Sequence, residues 1–292
     1  MERIFRGDRL FVGLGAACGG ALLAALVGLV VAVVCLSMPS LRALGVSPLL
    51  SASWEPARGA FGMLALFWGT AVSSLLALAM AVPLGMGVAL FVTELGPRVL
   101  GRAVTSVLEV VTAIPSVVYG LWALHVLVPM VRRGLFGGAT AGGGLLTAAL
   151  VLAVMTLPAF VLVVKDVLLT VPTELRESAL ALGATPWEIV RHVVLPHAFR
   201  GVVGAGLLAL CRALGEAMAV VAVIGGNAEI SASLRAPSST VASVLAREFA
   251  GAASTMHVAA LAELAGILLF VTLGFNVAAR ALLARYGRTE LA

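Results

Sequence analysis

Charge is scarce in this sequence: 11% of its 292 residues are Asp, Glu, Lys or Arg, against roughly a quarter in an average soluble domain. With 61% hydrophobic residues, that excludes a soluble globular protein and leaves an integral membrane protein. Lysine is nearly absent, with Lys165 alone, so the formal charge of +5 is carried by arginine. No basic run or aromatic-interleaved patch occurs, which excludes a nucleic-acid-binding surface. The three cysteines, Cys18, Cys35 and Cys211, sit in apolar runs without paired or metal-type spacing and read as packing residues. There is no Gly-x-x-x-x-Gly-Lys-Ser/Thr loop, no His-Glu-x-x-His and no Gly-x-Ser-x-Gly. Nucleotide must therefore be handled by a partner, and an intramembrane enzyme would have to rest on Glu109, His257 and Glu263 alone.

What is present is a series of uncharged intervals long enough to cross about 30 Å of hydrocarbon. The first, near Phe11 to Leu36, follows Arg3, Arg6 and Arg9; it is too long for a signal-peptide core and reads as a retained span. Further spans are expected over Gly59–Thr93, from Arg102 to Val131, over Leu145–Val164 after the glycines 137–138 and 142–144, over about Gly201–Gly226, and over Met256–Ala279. This predicts an all-α bundle of six transmembrane helices. Residues 1–60 would hold the N-terminal tail, first span and outer loop, 61–285 the five-span core, and 286–292 a tail. Arg3, Arg6, Arg9, Arg98, Arg102, Lys165, Arg176, Arg191, Arg200, Arg280, Arg285 and Arg288 fall on one side. Arg42, Arg58, Arg132, Arg133, Arg235 and Arg247 fall on the other. The positive-inside rule then puts both termini in the cytoplasm.

The most polar long interval, 173–200, carries its own helix punctuation. Thr173 is placed to cap a first helix with Glu174 in its opening turn, and Gly183 to stop it in the left-handed conformation. A second short helix starts at once: Thr185 as N-cap, Pro186 in the first position, and Glu188 completing a capping box. A nine-residue helix is not stable alone, and Leu175, Ala179 and Leu182 give this one an apolar face in need of a groove or a bilayer surface. The parity of spans puts this loop on the arginine-rich side.

Within the spans, Arg212 and Glu216 stand four apart, on one face of a helix and within reach of each other. Two readings stand level: an ion pair that locks helix packing, or a guanidinium fork offered to an oxyanion with Glu216 holding it. Pro83, Pro115 and Pro158 lie at depth, and Thr112, Ser116 and Tyr119 surround the expected break at Pro115, as candidate residues of the substrate path or as part of a kink packed on its neighbours.

Glu177-Ser178-Ala179, Gly183 and Leu195-Pro196 resemble the EAA signature of ABC importer permeases, with Ser178 in place of the middle Ala and Val193 in place of Ile. The blocks Trp54-Glu55-Pro56, 91–95, 113–120, 212–220 and 257–261 extend the likeness over about 53–284, to the PstC-type permease family of bacterial phosphate importers. That resemblance implies a MetI-like type I permease bundle in the bacterial cell membrane and ATP-driven import of inorganic phosphate. It implies a PstA-like second permease in a heterodimer, a PstB-like ATPase dimer holding ATP and Mg, and a PstS-like phosphate-binding protein. It puts Arg212 and Glu216 on the phosphate path, with Glu174, Leu175, Glu177, Ser178, Ala179, Leu182, Gly183 and Pro196 in the coupling loop. Sulfate or molybdate is the alternative cargo, and a channel without ATP leaves the docking helix unexplained.

Overall fold

The computed structural model describes residues 6–135, 142–252 and 254–286. Arg3, Gly137-Gly138, Arg288 and the tail from 287 onward lie outside the described residues. Helix α1 (Arg6–Leu44) is apolar almost throughout and runs on through Pro39, eight residues beyond the expected end at Leu36. It packs along the C-terminal helix Thr255–Tyr286 and leaves most of its surface bare, as a helix facing lipid does. After the short α2 (Ser47–Leu50), β1 (Trp54–Glu55) pairs antiparallel with β2 (Ala60–Phe61) through a turn at Gly59, φ +71°.

Helix α3 (Leu64–Leu90) carries an unbroken stripe of small residues every fourth position: Gly69, Ser73, Ala77, Ala81, Gly85 and Ala89, all buried. In lipid there is no hydrophobic drive between helices, so close backbone approach supplies the contact. A Cβ on Gly85 would meet the Phe160 ring at 2.6 Å. That ring belongs to α7 (Leu145–Leu169), the main partner of α3. Both α3 and α7 stay helical through their prolines, Pro83 and Pro158.

Between them, α4 (Arg98–Thr112) and α5 (Ser116–Trp122) meet at Pro115 with a bend of 94°. The break expected at Pro115 is present and divides the third span. From α5 the chain continues through two π turns and α6 (Val128–Met130) to Leu135.

Helix α8 (Thr173–Ala181) is followed by α9 (Pro186–Ile189), which does not end as a short helix. It passes through the π turn Val190–Val194 into α10 (Leu195–Gly215), so the fifth span is one apolar helix over Pro186–Gly215 rather than 201–226. Pro129 and Pro196 each follow a π turn by two residues, and the widened turn moves the preceding carbonyls away from the proline ring. Then come α11 (Met218–Val221), an extended segment, α12 (Val241–Glu248) and α13 (Thr255–Tyr286). Among the described residues five helices can cross a membrane, and six when the bent pair counts as one.

Three apolar layers stack along α3. At its C-terminal end, Ala89 meets Phe160, Val164, Ile189 and Val194. Midway, Ala77 and Ala81 meet Leu152, Ala219 and Val220. At its start, Leu66 meets Trp54, Phe61, Val241 and Leu261. At that last end Glu248 accepts from Trp54 Nε1 (2.9 Å) and lies 3.2 Å from His257 Nε2, tying the hairpin to α12 and α13.

Candidate functional site

The residues expected to carry the function fall in two places, one at the middle layer and one at the C-terminal end of α3. At the middle layer, helix α10 stops at Gly215, and Glu216 turns extended (φ −72°, ψ 122°). The glycine weakens the helix, and the carboxylate takes the local alternative: Glu216 Oε1 accepts from the Ala219 N–H at 3.3 Å, at the start of α11. The expected pairing of Arg212 with Glu216 on one helix face is therefore absent. Arg212, in the last turn of α10, is exposed on the surface of the subunit and makes no salt bridge among the described residues.

The break in the third span faces this one. Gly120 of α5 is buried against α11, where a Cβ would stand 3.0 Å from the Ala219 Cα. Pro115 has no N–H to give to the Val111 carbonyl, and the Tyr119 hydroxyl donates to that oxygen at 2.8 Å, beside a longer contact from the Ile114 N–H at 3.3 Å. Thr112 donates back to the Leu108 carbonyl at 2.8 Å. Both hydroxyl protons are thus committed to backbone, while the half-buried Ser116, first residue of α5, makes no side-chain hydrogen bond among the described residues. Arg212 and Tyr119 stand within electrostatic range of each other. The structure therefore gathers Tyr119, Arg212, Glu216 and α11 around two facing helix breaks.

At the other place, the sequence signals at 173–200 are largely realised. Gly183 has φ +84°, and the Gly183 N–H to Leu180 carbonyl (2.9 Å) and Ala184 N–H to Ala179 carbonyl (3.1 Å) bonds close a Schellman stop. Thr185 and Glu188 form the full capping box, with Thr185 N–H to Glu188 Oε2 at 2.7 Å. Thr173 is not the N-cap of α8: Pro172 holds that position in extended conformation (ψ 138°), and Thr173 is the first helical residue. The proline fixes φ just where the chain must turn into the helix, so the boundary moves back by one.

The apolar face of α8 has little to rest on within this chain. Leu182 is 89% exposed, Leu175 and Leu180 are exposed, and only Ala179 packs inward. Glu174, Glu177 and Pro196 are exposed, and the exposed Ser178 donates to the Glu174 carbonyl.

What fixes α8 is Arg176, which the motif reading passes over. Its guanidinium donates to Glu94 Oε1 (2.9 Å), the Val171 carbonyl (2.5 Å) and the Leu168 carbonyl (2.9 Å). Glu94 lies in the π turn Phe91–Leu95 that follows α3, 82 residues away, and no local spacing in the sequence links the two.

Glu109 is exposed on α4, Glu263 is buried in α13, and His257 pairs with Glu248. Among the described residues no three His, Cys, Asp or Glu side chains form a metal-holding group.

Residues 81–287 match the family described as "Binding-protein-dependent transport system inner membrane component". The chain is 40% identical over 302 aligned positions to the phosphate transport system permease protein PstC of Mesorhizobium japonicum, covering 98% of this chain and 92% of that one. It is 39% identical to the protein of the same name from Xylella fastidiosa (98% and 93%) and 37% identical to PstC 2 of Mycobacterium tuberculosis (75% and 74%). Among solved structures, a bacterial ABC transporter for alginate import matches with TM-score 0.65 at 16% identity, over 96% of this chain and 99% of that one. The MetNI methionine ABC transporter matches with TM-score 0.58 at 22% identity, over 80% and 99%. These two carry the fold alone.

Proposed function

The chain belongs to the binding-protein-dependent transport permeases, within them to the PstC phosphate permeases, and on that premise we propose that it forms half of the path of an ATP-driven phosphate importer. It is a permease subunit and not an enzyme; ATP and Mg belong to a PstB-like ATPase dimer. A PstA-like second permease completes the path, a PstS-like binding protein delivers phosphate, and the arginine bias puts both termini and α8 in the cytoplasm.

The observation that carries this reading is the state of Arg212. An arginine at the level of the middle layer, exposed and without a carboxylate partner among the described residues, costs roughly 2.5–3.5 kcal/mol even on lenient scales if it faces lipid. It therefore faces a wet path shared with a second subunit. There its fork suits two oxygens of a phosphate, and Ser116 keeps a hydroxyl proton to donate. Glu216 acts on position: by capping α11 it holds the backbone of the break.

Coupling runs along one helix. The exposed face of α8 fits a groove in a motor subunit, and the Schellman stop and capping box join α8 rigidly to the helix Pro186–Gly215. Arg212 lies 26 residues from Pro186, about 39 Å along that helix at 1.5 Å per residue. A push at α8 is thus delivered to the guanidinium and, through Arg176 and Glu94, to α3.

The test is uptake of labelled phosphate by the assembled complex in proteoliposomes. Arg212→Gln is expected to abolish uptake and Arg212→Lys to retain part of it; unaltered uptake by Arg212→Gln refutes the assignment. Sulfate as competitor distinguishes the cargo.

A further inference from the structure

We propose that the N-terminal end of α4 and the facing part of α7, at the inner membrane surface, form a binding site for the headgroup of an acidic phospholipid. Helix α4 opens with Arg98 and Arg102, beside an exposed apolar stripe of Val99, Leu100, Val107 and Val110.

Beneath its basic edge lies a cavity of about 470 Å³ lined by Arg98, Arg102, Thr105, Ser106 and Lys165. Its floor exists because Gly101 lets α4 press onto the π turn Phe91–Leu95 after α3: a Cβ there would meet the Val92 carbonyl oxygen at 2.9 Å. None of the three cations has a carboxylate partner among the described residues; the one bond nearby is from Arg102 Nε to the Arg98 carbonyl, at 3.4 Å. The chain's only lysine thus faces two arginines from another helix, an arrangement that repels itself unless an anion sits between. On the arginine-rich side of the bundle, with an apolar stripe alongside for acyl chains, a phosphodiester headgroup satisfies both halves of the site. Free phosphate would satisfy only the charged half.

The test uses the assembled, delipidated importer in detergent, titrated with phosphatidylglycerol or phosphatidylcholine and read by native mass spectrometry, with inorganic phosphate as competitor. Phosphatidylglycerol is expected to bind in preference, to weaken roughly fivefold for each cation removed and by about 100-fold for Arg98→Gln/Arg102→Gln/Lys165→Gln. Arg132→Gln/Arg133→Gln, at the opposite end, is expected to bind like the wild type. Should the triple variant not assemble, Arg102→Gln and Lys165→Gln singly carry the comparison. Equal binding of the two lipids, undiminished binding to the variants, or displacement of phosphatidylglycerol by inorganic phosphate overturns the assignment.

Discussion

Arg176→Met removes the guanidinium that ties α8 to the π turn Phe91–Leu95 after α3 and to the end of α7, while keeping its apolar stem. The guanidinium is 18% exposed and the Glu94 carboxylate 11%, at 2.9 Å. Breaking such a pair from one side leaves the other charge buried and uncompensated, a loss of about 3–5 kcal/mol. The Leu168 and Val171 carbonyls lose their donors as well, while water reaching the last turn of α7 offsets part of that. A net cost of about 3 kcal/mol is expected, felt locally where α8 meets the bundle. The assay is phosphate-stimulated ATPase of the reconstituted complex beside basal ATPase. Stimulation should collapse while basal hydrolysis persists. Glu94→Leu in the same chain should restore part of the thermal stability, because the orphaned carboxylate is gone, but not the stimulation. Full stimulation in Arg176→Met, or strictly additive losses of stability in the pair, would refute the idea that this ion pair transmits the push.

Gly183→Val forces a β-branched residue to φ +84°, a strain of about 1–3 kcal/mol, and is expected to uncouple ATPase from phosphate uptake in assembled complexes. Gly85→Ala drives a Cβ to 2.6 Å from the Phe160 ring and should lower the melting temperature by the equivalent of about 1–3 kcal/mol. Phe160→Leu in the same chain should recover part of that loss. Ser116→Ala should raise KM for phosphate uptake more than Tyr119→Phe does. Tyr119→Phe should mainly cost about 1 kcal/mol of stability through the Val111 carbonyl, as thermal unfolding would show.

The parts of this architecture legible in the sequence are those decided within a few residues. The stop at Gly183 and the box at Thr185 and Glu188 are side chain and backbone acting over one turn. The pairing of Arg212 with Glu216 fails because a four-residue spacing means one face only while the helix continues, and it ends at Gly215. The link from Arg176 to Glu94 crosses 82 residues and leaves no periodic trace. The stripe from Gly69 to Ala89 is masked in the sequence, since a run that is apolar all round hides a pattern written in side-chain size.

That stripe bears on why the breaks are tolerated at all. A bilayer offers no partner to a freed N–H or C=O, so non-helical backbone at depth must be buried in protein or wetted. Here each break brings its own substitute: Tyr119 for the amide missing at Pro115, the Glu216 carboxylate for the first turn of α11. The two breaks close on one another through Gly120 and Ala219 and rest on the rigid pair α3 and α7. Such an arrangement keeps irregular backbone at depth without spending Arg212 on it. The Arg212 guanidinium makes no salt bridge among the described residues, which is what the proposed phosphate path requires of it.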